Sequence, residues 1–178
     1  MFFDGKAIDT LDISAVRRQL GVVLQNGKLA TGSIYDNICG GVQLPLDYAW
    51  EAARLAGLDE DIRAMPMGMN TVVAEGVNTL SGGQRQRIMI ARAIARRPRI
   101  LLFDEATSAL DNQSQAIVST SLGNLNVTRL VIAHRLSTVR QADRIIVLVD
   151  GKVVQTGSYA ELSNTPGTFA NFAKRQLL

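Results

Sequence analysis

Cysteine is almost missing from this chain: Cys39 stands alone, which excludes an internal disulfide framework and a cysteine metal cluster and fits a reducing cytosol. Aromatic residues make up only 5%, and none interleave with the densest basic run, Arg92, Arg96, Arg97 and Arg99, so the stacking surface of a nucleic-acid binder is lacking. That run is explained by helix termination, with cations at the negative end of the dipole, and the net charge of +3 is modest. No stretch approaches the roughly 20 continuous apolar residues of a membrane helix, and no signal-peptide pattern is present. Histidine occurs once, at position 134. What the chain does have is an apolar content of 47% in 178 residues, enough for about one domain that buries roughly 70% of its unfolded surface.

The organising stretch runs from Leu80 to Asp111 and reads LSGGQRQRIMIARAIARRPRILLFDEATSALD. Ser81-Gly82-Gly83-Gln84 has the S-x-x-Q spacing of a capping box, in which the serine hydroxyl and the glutamine amide satisfy the first free amides of a helix. With no side chains at Gly82 and Gly83, a phosphate can approach those amides, aided by the positive end of the helix dipole. An ordinary capped helix reads the same way from these four residues alone. The helix carries Ile88, Ala91 and Ala95 on one face with Ile90 and Ile94 beside it, and Arg96-Arg97-Pro98 stops it. Ile100-Leu101-Leu102-Phe103 then reads as a parallel strand covered by helices on both faces, with Asp104-Glu105 emerging at its carboxyl end. Open α/β sheets bind ligands there. Two adjacent carboxylates at that place suit divided labour, one holding Mg²⁺ through water and one facing an attacking water, although two solvated carboxylates closing a strand fit the spacing equally.

Around this stretch the chain reads as α/β. Met1-Phe2-Phe3 enters a turn at Asp4-Gly5, Ile13 to Gln19 forms a short amphipathic helix, and Leu20 to Leu24 is an apolar strand that presents Gln25 at its end. From Ser33 the pattern turns helical: an S-x-x-D cap opens a helix to Ile38, Asp47 to Ala56 ends at Gly57, and Glu60 to Ala64 precedes Pro66. Trp50 and Leu55 are expected to pack this region, while Met65, Met67 and Met69 read either as an adaptable partner surface or as gap fillers. Gln113 to Leu122 reads as a helix and Leu130 to Ala133 as a buried strand with His134 at its end, level with Glu105 if the two strands are parallel neighbours. Arg144 to Val149, the Asp150-Gly151 turn and Val153-Val154 form a hairpin, followed by a Ser158-to-Glu161 capping box.

LSGGQ, then LLFDEATSALD, then Ile132-Ala133-His134-Arg135 resemble the signature, Walker B, D-loop and switch histidine of the ATP-binding cassette (ABC) family, and Gln25 stands where its Q-loop glutamine belongs. The resemblance covers nearly the whole chain and points to exporter ATPase domains. The wording from Pro66 to Ala116 and from Arg129 to Val154 is most similar to bacterial peptide or bacteriocin exporters with fused permease and ATPase. It implies a P-loop NTPase-type (RecA-like) α/β fold, a mostly parallel sheet with an inserted α-helical subdomain, incomplete at the N-terminus. The implied parts are a Q-loop portion of the core (1–29), a helical subdomain with the signature (30–95) and a core with Walker B, D-loop and switch histidine (96–178).

The same resemblance implies ATP and Mg²⁺ as cofactors. Glu105 and His134 would be catalytic, Gln25 and Asp104 would serve the metal, and Gln25, Ser81, Gly82, Gly83, Gln84, Asp104 and Asp111 would line nucleotide, the signature serving the γ-phosphate held by an opposite subunit. The implied partners are a second nucleotide-binding domain, identical or not, and the transmembrane domain of an exporter at the cytoplasmic face of the cell membrane, with no nucleic acid. One departure concerns the loop that touches the membrane domain, usually Glu-Arg-Gly: Glu75 aligns, but Gly76 occupies the arginine position and Val77 the glycine position.

The motif G-x-x-x-x-G-K-[ST] is found nowhere, since neither Gly40-Gly41 nor Gly82-Gly83 is followed by Lys-Ser or Lys-Thr. A strand, loop and helix carrying it need on the order of 30 residues, and the opening before Gln25 has no room. The expectation is therefore a C-terminal part of a cassette, inactive by itself, whose parent hydrolyses ATP to drive export. A second reading, from another class, is a non-catalytic module that completes or regulates a partner's nucleotide site. A soluble cassette ATPase of DNA repair or translation is unsupported, for want of coiled-coil heptads or a duplicated cassette.

Overall fold

The computed structural model describes residues 1–74, 80–107 and 110–176. The loop at Glu75, Gly76 and Val77, expected to touch a membrane domain, lies outside the described residues, as do Ser108 and Ala109. The chain forms two compact units, Met1–Val131 and Ile132–Leu178.

The first unit opens with a two-stranded antiparallel ribbon, β1 (Phe2–Phe3) and β2 (Lys6–Ala7), turned by Asp4 at φ 49° and Gly5 at φ 76°. Two successive left-handed residues are what a tight hairpin requires. Helix α1 (Ile13–Arg18) is capped by Asp12, whose carboxylate accepts from the Ser14 N–H, and β3 (Leu20–Val23) follows. A second ribbon pairs β4 (Gly32–Ser33) with a later strand, and Ser33 doubles as the cap of α2 (Ile34–Cys39) in a complete capping box with Asp36. Helices α3 (Leu46–Leu55) and α4 (Asp59–Ala64) come next, then β5 (Val72–Val73), the partner of β4. Helix α5 (Gly82–Ile94) packs against α2, α3 and β3. It leads into β6 (Ile100–Asp104), α6 (Asn112–Gly123) and β7 (Thr128–Ile132), the sheet order being β3-β6-β7 with β3 and β6 parallel.

The core lies where α5 crosses this sheet. Ile88, Ile90, Ala91 and Leu101 are fully enclosed, and Val23 and Phe103 lie beside them. Gly21 permits the approach: a β-carbon there would run into the Ala93 carbonyl and lie 2.7 Å from Leu101 Cδ2. Helices α2, α3 and α4 complete the same core through Ile34, Ile38, Ala49, Ala53 and Ile62. Trp50 and Leu55 pack against this core as expected, half-buried at its rim, while the enclosed residues of α3 are the small alanines Ala49, Ala52 and Ala53. The three methionines separate: Met69 is buried, Met65 half-buried, and Met67 is 58% exposed.

Two expectations about burial are corrected. Strand β6 alternates buried and half-buried residues instead of being enclosed along its whole length, Leu101 and Phe103 turning into the core and Ile100, Leu102 and Asp104 away from it. Strand β7, expected to be buried, is exposed at all five positions, with Leu130 at 59% and Ile132 at 55%. Among the described residues neither core cluster includes a side chain of this strand, so nothing in those cores covers its faces.

The arginine run is not a free cationic patch. Arg92 Nε donates to the Asn37 carbonyl at 2.7 Å, Arg96 to the Gly40 carbonyl at 2.9 Å, and Arg97 pairs with Glu51 at 2.7 Å. Asn37 is 2% exposed and holds the loop before α2 from both sides, donating to the Ala30 and Ser33 carbonyls and accepting from the Ala30 N–H.

The second unit contains α7 (Leu136–Val139), the antiparallel pair β8 (Ile145–Val149) and β9 (Lys152–Gly157), α8 (Tyr159–Asn164) and α9 (Thr168–Gln176). Asp150 at φ 50° and Gly151 at φ 74° make the hairpin turn, and the Ser158–Glu161 capping box is complete. Leu136, Ile145, Leu162, Phe169 and Ala173 form its own small core.

Candidate functional site

The parallel register decides what meets what. Val23 of β3 lies opposite Phe103 of β6, so the residues two positions beyond, Gln25 and Glu105, leave the sheet side by side at its carboxyl end. Gln25 Nε2 donates to Glu105 Oε2 at 2.9 Å. Asp104, the last residue of β6, is half-buried beside them in sequence. At Glu105 the backbone swings into the left-handed region, φ 48°, a conformation in which a side chain crowds the following carbonyl. Such outliers persist only where the surroundings hold them.

One holder is Gln86, in the first turns of α5. It is 4% exposed, and its Nε2 donates to the Glu105 carbonyl across 3.4 Å. Sequence reasoning missed this residue. A signal was available, because 86, 90 and 93 fall on one stripe of the helix, and a glutamine in line with the enclosed Ile90 and Ala93 demands a buried partner.

The glycine end of α5 has the expected capping box: the Gln84 N–H donates to Ser81 Oγ at 3.1 Å and the Ser81 N–H to Gln84 Oε1 at 2.9 Å. The same Gln84 amide donates through Nε2 to Asp61 of α4 at 2.8 Å, and Asp61 pairs with Arg87 at 2.8 Å, tying this helix end to its neighbour. Ser81 and Gly82 are exposed, and a β-carbon on Gly82 would meet nothing within 4 Å, so the space beside the first turn of the helix is open. Gly83 is the next residue of that turn.

Asp111 caps α6, accepting from the Ser114 N–H at 2.8 Å and the Ser114 hydroxyl at 2.9 Å. Those two donors, the N–H foremost, hold its carboxyl below the usual carboxylate range. His134 belongs to the second unit, where its carbonyl accepts from Gln176 Nε2 at 2.6 Å.

This donor set suits a hard cation that keeps most of its shell. Asp104 and Glu105 bring carboxylates, and Gln25, with its nitrogen turned to Glu105, brings an amide oxygen. Among the described residues no group of three or more His, Cys, Asp or Glu converges. Mg²⁺ is held in that sparing way, by one or two carboxylates together with phosphate oxygens and water. The exposed turn at Gly82 supplies the complementary feature, the positive end of a helix 13 residues long, which favours an anion.

Comparison with known proteins agrees with this geometry. The family model described as ABC transporter matches residues 1–108. The chain is 46% identical over 179 residues to ABC transporter B family member 14 of Arabidopsis thaliana, an alignment covering 99% of this chain and 14% of that protein. It is 48% identical over 165 residues to the alpha-hemolysin translocation ATP-binding protein HlyB of Escherichia coli O157:H7, covering 91% of this chain and 23% of that one. A solved structure of a bacterial Atm1-family ABC exporter with ATP bound superposes with a TM-score of 0.92 at 35% identity, over 98% of this chain and 31% of its own. The chain thus spans less than a third of the length of each of these relatives. With the family model matching well over half of its residues, and with its parallel strands, capped glycine helix and paired carboxylates arranged as described, the chain belongs to the ABC transporter family, with the P-loop NTPase fold of that family's ATP-binding domain.

Proposed function

We propose that this chain is the C-terminal part of the nucleotide-binding domain of an ABC exporter, in which binding and hydrolysis of ATP drive transmembrane export. The observation that carries the proposal is the Gln25–Glu105 contact of 2.9 Å at the carboxyl ends of two parallel strands. Glu105 faces the attacking water and takes up or orients its proton, while Gln25 fixes the carboxylate and reports, across the joint between 1–29 and the helical part 30–95, on what occupies the site. Asp104 and the Gln25 oxygen hold Mg²⁺, whose charge, when bound, offsets that of the phosphates. His134, in the 96–178 part, contacts the γ-phosphate.

Ser81 through its hydroxyl, and Gly82 and Gly83 through their N–H groups, contact the γ-phosphate of a nucleotide held by a second nucleotide-binding domain, identical or not. Gln84, engaged by Ser81 and Asp61, shapes that end. Asp111 stiffens the segment after Glu105 at the same shared interface. Support for export comes from the functions in the relatives' names, translocation for the hemolysin protein and export for the Atm1-family structure. Among the described residues no helix is long and apolar enough to cross a membrane. On this reading the transmembrane domain of an exporter, fused to this domain or a partner of it, holds it at the cytoplasmic face of the cell membrane. By itself the chain is inactive on this reading, since most phosphate-binding energy in such sites comes from the loop G-x-x-x-x-G-K-[ST], which it lacks.

The test is Glu105→Gln in the intact protein, the polypeptide that contains these residues together with that loop. The substitution retains shape and removes basicity, so ATP binding stays while phosphate release falls by about 10²-fold or more. Hydrolysis at the parent rate refutes the assignment.

A further inference from the structure

Among the described residues two polar side chains are buried, Asn37 and Gln86. Asn37 is explained by the loop it holds. Gln86 calls for a different explanation, because its place on the Ile90–Ala93 stripe would be filled better by leucine or alanine, which form helices at least as well and have no polar head to bury. A buried amide at such a place gains its value through the partner it reaches, and Gln86 reaches the main-chain carbonyl of Glu105 at 3.4 Å.

That carbonyl belongs to the one strained residue of the site. A left-handed residue at the end of a strand reverses the chain sharply, and at Glu105 this reversal sends the carboxylate back towards the end of β3, where Gln25 meets it at 2.9 Å. Glu105 is thus gripped twice, its side chain by Gln25 and its peptide by Gln86.

We infer that Gln86 is a positioning residue for hydrolysis, its buried amide holding the Glu105 carbonyl and with it the left-handed turn that aims the Glu105 carboxylate. The inference rests on the reading of Glu105 given above and adds the group that sets its direction. Gln86 sits little more than one turn inside the capped end of α5, so the helix that presents Ser81 and Gly82 also carries the grip on the carboxylate. The bond is long, at the outer limit for an amide donor, and small shifts of α5 along its axis therefore loosen or tighten it.

The experiment uses the intact protein with Gln86→Met, which keeps length and burial and removes the donor. A displacement of about 1 Å at a reacting group costs up to about 10²-fold, so the partial loosening here is expected to lower kcat about tenfold, with the KM for Mg·ATP within about twofold of the parent. The melting temperature of the intact protein should be within about 2 °C of the parent's, as for an isosteric core exchange. Gln86→Glu supplies the rescue: ionised, it repels the carbonyl, and protonated, it donates, so its turnover relative to the parent should rise as the pH is lowered. An unchanged kcat in Gln86→Met overturns the inference, and so does a fall of kcat and melting temperature together with a rise in KM, the mark of general loosening. Glu105→Gln run alongside separates the two levels. If it abolishes turnover while Gln86→Met does not alter it, the inference alone fails; if Glu105→Gln turns over normally, the reading of the site fails and the inference with it.

Discussion

Asn37→Ala is the perturbation whose cost can be worked most directly. The side chain makes four hydrogen bonds: it donates to the Ala30 carbonyl at 2.9 Å and the Ser33 carbonyl at 3.0 Å, and accepts from the Ala30 N–H at 2.9 Å and Arg92 Nη2 at 2.7 Å. Three neutral bonds at about 1 kcal/mol and one to a charged donor at about 2 kcal/mol total about 5 kcal/mol if each is simply lost. The groups at Ala30 are on an exposed residue and regain water, which removes about 2 kcal/mol from that total; the remaining loss is about 3 kcal/mol. Trp50 makes the assay simple. It is the only tryptophan, it lies in α3 at the rim of the same core, and the Arg63 guanidinium stands 4.5 Å from its ring centre, so its fluorescence reports the first unit. In urea, with an m-value of about 2 kcal/mol/M, the midpoint followed by Trp50 should fall by about 1.5 M. A shift below about 0.5 M would mean that the loop is held by something other than Asn37 and refutes the reasoning.

Gly21→Ala places a β-carbon against the Ala93 carbonyl and 2.7 Å from Leu101 Cδ2, so it should destabilise by about 1–3 kcal/mol in the same titration; a neutral result would show that α5 does not press on β3 there. Acid should release the helix caps. Asp36 is held low by the Ser33 hydroxyl and then its N–H, Asp111 and Glu161 by the N–H and then the hydroxyl of Ser114 and Ser158. A depressed carboxyl stabilises the fold above its unfolded value and stops doing so as the pH falls through the folded one. Helical circular dichroism should accordingly hold from neutral pH to about 4 and decline below it, and a decline beginning near pH 6 would count against the caps. Glu105→Gln and Gln86→Met, with the outcomes given above, test the site itself.

Local rules made much of this protein legible before any coordinates. The capping boxes at Ser33, Ser81 and Ser158, the hairpin turns at Asp4-Gly5 and Asp150-Gly151 and the helix stop after Ile94 depend on contacts within four residues, so the sequence carries them in full. The order of the motifs was equally plain, and with it the family. What lay beyond reach were facts set by elements far apart in the chain. Gln25 and Glu105 are 80 residues apart and touch only because β3 and β6 pair in one register and not in a register shifted by two. The exposure of β7 follows from its lying outside both core clusters among the described residues, which an apolar run does not reveal. Gln86 looked like one more polar residue on an amphipathic helix until packing turned its stripe inward and brought a strained carbonyl within its reach. A sequence specifies short-range hydrogen bonds by itself, but which buried donor meets which distant acceptor is decided when whole elements dock, because only then are the competing water molecules removed.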